Sequence, residues 1–513
     1  MTQHYYLGID IGTTSTKTVL FGDKGKVLST HHIEYPLYSP TPAIAEQDPD
    51  EIFRAVTETI IGAIKKAKIN AEEIKLVSFS SAMHSVIAVD KNGKPLTKCI
   101  TWADSRATEW AEKIKNELNG LEVYRRTGTP IHPMSPLAKI AWLRTDHPDI
   151  FSKTYKFIGI KEYVFYKLFG EYVVDYSIAS AMGMFNLNEL KWDKEALQIA
   201  GITEEQLSKP VSTTHYLTGL GQEYVETLGL SKDVPFVVGA SDGVLSNLGV
   251  DAIDQGVIAV TIGTSGAIRT VTNKPATDPK GRIFCYALTE NHWVIGGPVN
   301  NGGVVFRWAR DELAASEVET AKRLGVDPYD VLSDIAARVT PGADGLLFHP
   351  YLAGERAPLW NAHARGSFFG LGLHHKKEHM IRAMMEGVML NLYMVTLTLQ
   401  EIIGIPKQIK ATGGFARSEL WRQMMADIFN QEVIIPESFE SSCLGAVILG
   451  MYALGEIDDF SVVSDWVGHT HAHKPNQDHA EIYEDLIPIY IRISRILENE
   501  YEPITAFQEK WTK

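Results

Sequence analysis

The residues with the clearest chemical potential lie near the N-terminus, where an apolar strand runs into a glycine turn. Asp10 lies in that strand, Gly12 begins the turn, and Thr13, Thr14 and Lys17 follow. Glycine lets backbone N–H groups face an anion, and the hydroxyls and the lysine add donors and positive charge. The carboxylate could hold a divalent cation directly or through water. The stretch predicts a phosphate-binding hairpin, although an ordinary β-hairpin with a threonine-rich turn has the same local pattern. Its spacing fits neither a Walker A loop nor a Rossmann fingerprint.

A similar pattern returns about half a chain later. Residues 258–269 again read as an apolar strand, a turn at Gly263 and Thr264, and a second strand. Two such hairpins at that separation suggest a duplicated domain. The copy has Thr261 where the first hairpin has Asp10, so the metal-directed carboxylate is expected only in the first half.

A second carboxylate follows the apolar strand that begins at Pro235. Asp242 stands there between small residues, with a helical pattern behind it. A carboxylate in this position can be a helix N-cap. It can also be a catalytic base, because open α/β sheets bind ligands in the loops after their strands. The hairpin that follows at Gly263 favours the base.

Two further glycine-rich turns are candidates for contact with a nucleotide. One contains Gly302, and the other places Gly413 and Gly414 between an apolar strand and a predicted helix over residues 419–429. Paired glycines let a flat ligand lie close to the backbone, and the helix N-terminus near Ser418 favours an anion.

Two loops are candidates for binding a small polar substrate. His84 follows an apolar strand, and the next short apolar run leads to Trp102, Asp104 and Arg106. Tryptophan can cover the C–H face of a sugar, while the carboxylate and the guanidinium can fix hydroxyl and carboxylate groups. The alternatives are a hydrogen-bonded loop histidine and a helix N-terminus capped by Asp104 with Trp102 in the core.

Composition restricts the class of protein. The 513 residues favour two domains, and 49 basic against 63 acidic side chains give a net charge of −14, which argues against general binding to nucleic acid or an anionic membrane. Three widely spaced cysteines suit a reducing cytoplasm and have no zinc-ligand spacing. We expect a cytoplasmic protein without a signal peptide or a transmembrane helix.

The elements that must position these residues alternate between strands and helices. Asp48 and Pro49 predict the start of a helix that presents Ile52, Val56 and Ile60 on one face. A strand from Ile74 follows, and this order favours an α/β fold with a sheet covered by helices.

With these stretches in order, the sequence resembles the FGGY family of carbohydrate kinases, within the actin-like ATPase superfamily. The resemblance covers nearly the whole chain and rests on the two hairpins, on residues 239–242 and on residues 413–418. The stretches 132–143 and 366–371 look like the two family signatures. Among family members the chain most resembles those that phosphorylate gluconate, notably at residues 80–85, 101–104 and 354–361.

The resemblance implies two actin-like (ribonuclease H-like) domains with mixed sheets flanked by helices and a cleft between them. The first, near residues 1–250, would bind mainly the sugar, and the second, near residues 251–513, mainly ATP with Mg²⁺. The family's usual state is a homodimer.

The resemblance also implies a role for each candidate residue. Asp242 matches the family's catalytic base and contacts the acceptor, Asp10 matches the carboxylate associated with Mg²⁺, and His84, Asp104 and, as a guess, Arg106 fall near the acceptor. Nucleotide contacts of the family are matched by Thr13, Thr14, Gly263, Thr264, Gly413, Gly414 and Ser418. From the glycine turns and the charge of the lysine we also expect nucleotide contacts at Gly12, Lys17 and Gly302.

The expected reaction is transfer of the γ-phosphate of ATP to the 6-hydroxyl of D-gluconate. D-xylulose, L-ribulose and glycerol remain alternative acceptors, because kinases of this kind share the phosphate machinery and differ in a few sugar-contacting side chains. A structural or chaperone-type ATPase of the same superfamily would have no base at Asp242. A sugar-sensing regulator would need a nucleic-acid module, and no basic helix-turn-helix precedes Tyr5.

Overall fold

The computed structural model describes residues 4–437 and 440–511. They form two compact units, which the chain enters more than once. The first contains residues 4–253, 271–295 and 440–468, and the second contains residues 254–270, 296–437 and 469–511. The first break falls close to the predicted boundary at residue 250, but the chain then returns to the first unit twice. The predicted division of roles between two continuous halves stays a prediction.

The helices and strands alternate along the chain, as the sequence predicts. The strands are β1 (Tyr5–Ile11), β2 (Ser15–Phe21), β3 (Val27–Glu34), β4 (Glu46–Gln47), β5 (Ile74–Ser81), β6 (Ile87–Val89), β7 (Cys99–Ile100), β8 (Lys156–Ile158), β9 (Val173–Asp175), β10 (Phe185–Asn186), β11 (Lys191–Trp192), β12 (Lys209–Val211), β13 (Tyr216–Leu217), β14 (Phe236–Ser241), β15 (Val257–Ile262), β16 (Gly266–Thr272), β17 (Phe284–Thr289), β18 (His292–Val299), β19 (Leu347–His349), β20 (Ser367–Phe369), β21 (Gln408–Thr412), β22 (Val433–Pro436) and β23 (His469–His473).

The α-helices of the described residues range from one turn to more than seven. They are α1 (Pro49–Ala67), α2 (Thr108–Glu117), α3 (Gly120–Thr127), α4 (Pro136–Asp146), α5 (Pro148–Lys153), α6 (Ile160–Phe169), α7 (Tyr176–Ser180), α8 (Lys194–Ala200), α9 (Gln222–Leu228), α10 (Asp242–Gly249), α11 (Gly303–Trp308), α12 (Ala315–Leu324), α13 (Pro328–Ala336), α14 (Lys377–Ile403), α15 (Glu419–Phe429), α16 (Ser441–Ala453), α17 (Val462–Trp466), α18 (Gln477–Leu497) and α19 (Tyr501–Trp511).

The first unit is organised around a six-stranded sheet in the order β13-β14-β5-β1-β2-β3. Strands β14, β5 and β1 are parallel, whereas β2 pairs with β1 and β3 in antiparallel fashion. Leu7, Ile9 and Ile11 of β1 are fully buried in the core that also holds Val56 and Ile60 of α1. The alternating apolar residues of β1 therefore fix the face of the sheet that α1 covers.

Helix α1 begins as the sequence predicts. The Asp48 side chain accepts hydrogen bonds from the backbone N–H groups of Asp50 and Glu51, and Pro49 occupies the first turn, where it sacrifices no helical hydrogen bond.

The second unit repeats this arrangement with β15 in the place of β1. Strand β15 is antiparallel to β16 and parallel to β21, and β22 continues parallel to β21 with β23 antiparallel at the edge. The predicted duplication of a hairpin in two sheets of mixed direction is therefore present.

One helix of the described residues, α14, is long and apolar enough to cross a membrane by length and composition. Most of its apolar window, 78%, is buried inside the protein. It packs on α11, α13, α15 and β19 in the second unit, as a core helix does.

Candidate active site

Three parallel strands of the first unit end at the same edge of the sheet, and a polar side chain lies at or just after the end of each. In the register of the sheet, Asp10 pairs with Ser80, and Ser80 pairs with Ala240. Ser241 pairs with Ser81, so Asp242 is the next residue past that edge. The carboxyl edge of the sheet therefore carries both sequence-predicted carboxylates, as open α/β sheets arrange their ligand sites.

Asp10 is held by two hydroxyl groups. Its Oδ1 accepts a hydrogen bond from Ser80 Oγ at 2.7 Å and its Oδ2 accepts one from Ser442 Oγ at 3.1 Å. Burial raises the pKa of Asp10, while these two bonds and the charge of Lys17 oppose the rise. A single carboxylate among hydroxyl oxygens fits Mg²⁺, which keeps several waters and takes few protein ligands.

The hairpin after Asp10 is braced by side chains from elsewhere in the first unit. Gly12 N–H donates to Ser15 O at 2.9 Å and closes the turn. Tyr35 Oη donates to Gly12 O at 2.7 Å, Gln47 Nε2 to Thr13 O at 2.5 Å, and Trp102 Nε1 to Thr13 Oγ1 at 2.9 Å. Trp102 thus joins the hairpin to the loop that carries Asp104. The side chain of Thr14 contributes to the exposed tip.

Lys17 forms an ion pair with Glu440, with 3.0 Å between Nζ and Oε2. Burial is the largest single influence and lowers the pKa of Lys17, but the hydrogen bond to Glu440 and the charges of Glu440 and Asp10 together raise the pKa above its usual value. The lysine that the sequence assigns to phosphate is therefore a cation with a carboxylate partner in this structure.

Asp242 is the first residue of α10, after the helix cap Ser241. Its Oδ1 accepts a hydrogen bond from the N–H of Gly243 at 2.6 Å, and the side chain is only half-buried. Two contacts fix the strand end before it, because Ser241 N–H donates to Ser177 Oγ at 3.1 Å and Lys161 Nζ donates to Ala240 O at 3.1 Å.

Lys161 also forms a buried ion pair with Asp175, at 2.7 Å. Burial lowers the pKa of Lys161, and the charges of Asp175 and Asp242 oppose that shift. A buried cation therefore stands close to the candidate base. Nothing in the pattern of residues 155–240 pointed to this pair.

His84 is buried, and both ring nitrogens face protein atoms. Nδ1 lies 2.7 Å from Ala181 O, and Nε2 lies 3.5 Å from the hydroxyl of Tyr286. The residue adopts the left-handed conformation, with φ of 68°, which few residues other than glycine take without a reason in the surrounding structure. These contacts agree with the alternative of a hydrogen-bonded loop histidine.

Asp104 and Arg106 are bound to each other. Arg106 Nη2 lies 2.8 Å from Asp104 Oδ2 and 2.5 Å from Glu46 Oε1, so two carboxylates surround the guanidinium. Asp104 also accepts a hydrogen bond from the backbone N–H of Ala45 at 3.0 Å. Asp104 is buried, so it anchors the loop, and Arg106 is the more exposed of the two.

The second unit contains a cavity of about 340 Å³ at its glycine-rich turns. Predicted residues of two turns line it together, namely Gly263, Thr264, Gly414 and Ser418. The rest of the lining is mostly aromatic, apolar or charged and comprises Ile262, Gly303, Val304, Phe306, Arg307, Asp327, Tyr329, Asp330, Ser333, Phe415, Arg417 and Trp421. Aromatic walls beside glycine turns suit a flat ring attached to an anionic group.

Gly302 and Gly413 lie behind this cavity. A Cβ on Gly302 would come within 2.6 Å of Ser265 O, and the N–H of Gly303 donates to Gly263 O at 2.7 Å. Gly413 has a φ of 109°, and a Cβ there would overlap the carbonyl oxygen of Ile262. These glycines let the turns pack on one another.

Glu355 fixes the residues that precede Gly302 in the chain. It is buried and accepts hydrogen bonds from the N–H of Asn300 at 2.6 Å, from Asn301 Nδ2 at 3.0 Å and from Asn391 Nδ2 at 2.9 Å. Burial raises the pKa of Glu355, and the hydrogen bonds from Asn301 and Asn300 oppose the rise. In the sequence, Glu355 is distinguished only as part of the stretch 354–361.

Comparison with known proteins agrees with the fold and with the order of these motifs. The N-terminal domain of the FGGY family of carbohydrate kinases matches residues 5–249, and the C-terminal domain of that family matches residues 258–454. The chain therefore belongs to the FGGY family of carbohydrate kinases, which are phosphotransferases with an alcohol group as acceptor.

Relatives cover the whole length of the chain. A gluconokinase from Bacillus licheniformis is 64% identical over 505 residues, which are 98% of this chain and 98% of that protein. The crystal structure of a gluconate kinase from Lactobacillus acidophilus has a TM-score of 0.93 at 40% identity, covering 98% of this chain and 100% of that one. A ligand-bound xylulose kinase structure from the same organism gives the same values.

Proposed function

We propose that this chain transfers the γ-phosphate of MgATP to the 6-hydroxyl of D-gluconate, giving 6-phosphogluconate and ADP. The main support for phosphoryl transfer is the placement of Asp10 and Asp242 at the carboxyl ends of parallel strands in one sheet, beside the first hairpin. The identity of 64% to a gluconokinase supports gluconate as the acceptor.

Asp242 is proposed as the base. Its half-buried carboxylate would accept the proton of the 6-hydroxyl as that oxygen attacks the γ-phosphorus and ADP leaves. The Asp242 side chain takes one bond from Gly243 N–H through Oδ1, which orients the carboxylate. Ser177 and Lys161 hold the preceding strand end, so the base sits on a rigid support, as alignment of a nucleophile requires.

The first hairpin is proposed to receive the transferred phosphate. The backbone N–H groups near Gly12, Thr13 and Thr14 would face its oxygens, and Lys17 would exchange Glu440 for phosphate when the nucleotide binds. Asp10 would hold Mg²⁺ directly or through water, while Ser80 and Ser442 keep its carboxylate in place. The ion, when bound, neutralises charge on the transferring group.

The cavity of the second unit is proposed to hold the nucleotide. Gly263 and Thr264 would contact phosphate oxygens, and Gly414 and Ser418 would lie beside the adenosine, with Gly302 and Gly413 supporting the turns. The aromatic lining supports this assignment, because an adenine ring gains from an apolar wall.

The acceptor is proposed to bind near the loops of His84, Asp104 and Arg106. Arg106 would bind the carboxylate of gluconate by exchanging one of its two carboxylate partners, of which Glu46 is the more exposed. D-xylulose is the second candidate acceptor, favoured by the equal structural similarity to a xylulose kinase. L-ribulose and glycerol are more remote candidates.

The remaining expectations concern location and partners. We propose a cytoplasmic, homodimeric enzyme that acts on small molecules without a nucleic-acid or membrane partner. The net charge of −14 and three buried cysteines with free thiols support that proposal.

The test is ATP-dependent phosphorylation of D-gluconate, D-xylulose, L-ribulose, glycerol and L-fuculose by the full chain. Asp242→Asn should lower kcat on the true acceptor by about 10²–10⁴-fold, because it removes the base. Asp233→Asn is the matched control: it lies in an exposed loop before the same strand and should keep wild-type turnover.

Turnover on gluconate alone, lost in Asp242→Asn, is the expected result. Turnover on another member of the panel would retain the kinase and replace the acceptor. ATP hydrolysis without turnover on any acceptor would overturn the acceptor site.

A further inference from the structure

Helix α4 buries a lysine whose charge the proposed chemistry does not use. Lys139 has no exposed surface. Its Nζ donates hydrogen bonds to three backbone carbonyl oxygens, those of His84 at 2.8 Å, Thr101 at 2.6 Å and Met134 at 2.8 Å. An ammonium group has three hydrogens to donate, and these three acceptors use all of them.

The three carbonyls belong to three separate loops. His84 follows β5, Thr101 follows β7 and precedes Trp102 and Asp104, and Met134 precedes α4 itself. One side chain therefore ties together both loops that the proposed function assigns to the acceptor. A carbonyl pointed inward needs such a donor, because a buried carbonyl without a partner is unfavourable.

The His84 loop has a particular need for this support. His84 is held with φ of 68°, in a region that non-glycine residues leave unless the surroundings fix them. Lys139 bonds the carbonyl of that same residue, and Ala181 O engages its ring.

Retaining a charge here is costly for folding. Burial lowers the pKa of Lys139 to about 7, while Asp104 and Cys99 oppose that shift and Arg106 adds to it. An apolar side chain of similar size would avoid that cost, but it would leave the three buried carbonyls of separate loops without their donor. The ammonium group is therefore explained by what it holds together and not by the filling of space.

We propose that Lys139 is a positioning residue for the acceptor: its ammonium group holds the loops of His84 and Thr101 in the arrangement that binds the polyol. The inference rests on the proposed function, because it concerns the acceptor loops of that same site. Lys139 touches no substrate atom in this account and acts through the two loops.

The test compares Lys139→Met with Ile140→Ala. Methionine keeps most of the volume and removes all three donors, whereas Ile140 is a fully buried neighbour on the same helix whose truncation removes packing only. In Lys139→Met the KM for the acceptor should rise about tenfold or more, as loop displacement commonly costs that much, and the KM for ATP should stay within about twofold. Ile140→Ala should lower Tm but leave both KM values close to wild type.

Lys139→Gln keeps two amide donors and should give an intermediate acceptor KM. This variant provides the test if the methionine variant does not fold.

Hydrogen exchange gives a readout that needs no turnover. The amides of Val86, Ile100 and Thr101 are hydrogen-bonded between these loops and to Ala45, so they should exchange faster in the Lys139 variants than in Ile140→Ala.

The inference fails if the Lys139 variants and Ile140→Ala change both KM values alike, or if exchange at these amides rises equally in both. The acceptor used is whichever member of the panel the wild type phosphorylates, so a wrong choice of gluconate leaves this test intact. If the wild type phosphorylates none, the proposed function fails and equal exchange still overturns the role of Lys139.

Discussion

The two glycine hairpins share a backbone plan and differ in what they present. In the first unit Asp10 pairs in register with Ser80 of the neighbouring parallel strand and accepts its hydroxyl. In the second unit the corresponding pair is Thr261 and Thr412, whose hydroxyl oxygens lie 3.2 Å apart. The same strand pairing therefore supports a charged site in one unit and a neutral one in the other.

The support of the turns differs as well. Side chains hold the first turn, because Tyr35, Gln47 and Trp102 donate to its atoms. Backbone holds the second, where the N–H groups of Gly303 and Val304 donate to the carbonyls of the turn. The first hairpin thus depends on hydrogen bonds from side chains. The second depends on glycines, whose lack of a side chain lets the backbone segments pack closely. Four measurements test how the two units differ.

The largest effect is expected at Gly413. Alanine there must adopt a φ of 109° and would overlap Ile262 O, so we expect a loss of about 4 kcal/mol or more in the free energy of unfolding. Urea unfolding of the full chain measures this loss. Gly414→Ala is the control, since a Cβ at Gly414 meets no atom within 4 Å. Equal losses in both variants would show that close packing does not explain the second turn.

The free energy of unfolding should depend on pH through His349 of the second unit. Burial lowers the pKa of His349 to about 4, while its bond to Tyr490 O opposes the shift. In the unfolded chain this histidine takes up a proton below about pH 6.5, whereas in the folded chain it does so only below about pH 4. The free energy of unfolding should therefore fall by about 3 kcal/mol as the pH is lowered from 6.5 to 4.

His349→Phe keeps a ring stacked on Tyr490 and should flatten the dependence of the unfolding free energy on pH between 6.5 and 4. The exposed His363→Phe is the control. An unchanged slope in His349→Phe would place the acid sensitivity elsewhere.

Charge at the first hairpin is tested by Asp10→Asn. The amide keeps the size of the side chain but weakens the site for Mg²⁺, so kcat should fall about 100-fold, or about 2.7 kcal/mol, and saturation should need more Mg²⁺. Thr261→Ser, at the matching position of the second unit, should change kcat by less than about threefold. Equal effects at the two positions would remove the functional distinction between the hairpins.

The smallest effect is expected from the ion pair of Lys17 with Glu440. Both side chains are partly exposed, and such pairs contribute about 1 kcal/mol or less. Glu440→Gln should therefore change the unfolding free energy by less than about 1 kcal/mol in thermal or urea unfolding, while Lys17 remains available for phosphate. A larger loss would identify the pair as structural.

The local parts of the fold follow from the sequence. The cap at Asp48 and Pro49 predicts α1, and the turn at Gly413 and Gly414 predicts α15 over residues 419–429, where the structure has it. The repeated hairpin predicts the repeated strand pairing. These signals are readable because caps, glycine turns and apolar periodicity act over a few neighbouring residues.

The partners of the site residues do not follow from it. Ser442 bonds Asp10 from 432 positions further along the chain, and residues 440–468 rejoin the first unit. Lys139 stood in a family signature, but nothing local shows that its ammonium group meets the carbonyls of His84 and Thr101. The contacts of His84 likewise depend on Ala181.

Short stretches of the chain thus specify which groups could do the chemistry and which strands and turns carry them. How these groups are held follows from the folded structure: two serines hold Asp10, two carboxylates flank Arg106, and Lys139 joins three loops. The physical reason is that hydrogen bonds between distant segments depend on the packing of whole sheets and helices, which no short stretch of sequence encodes.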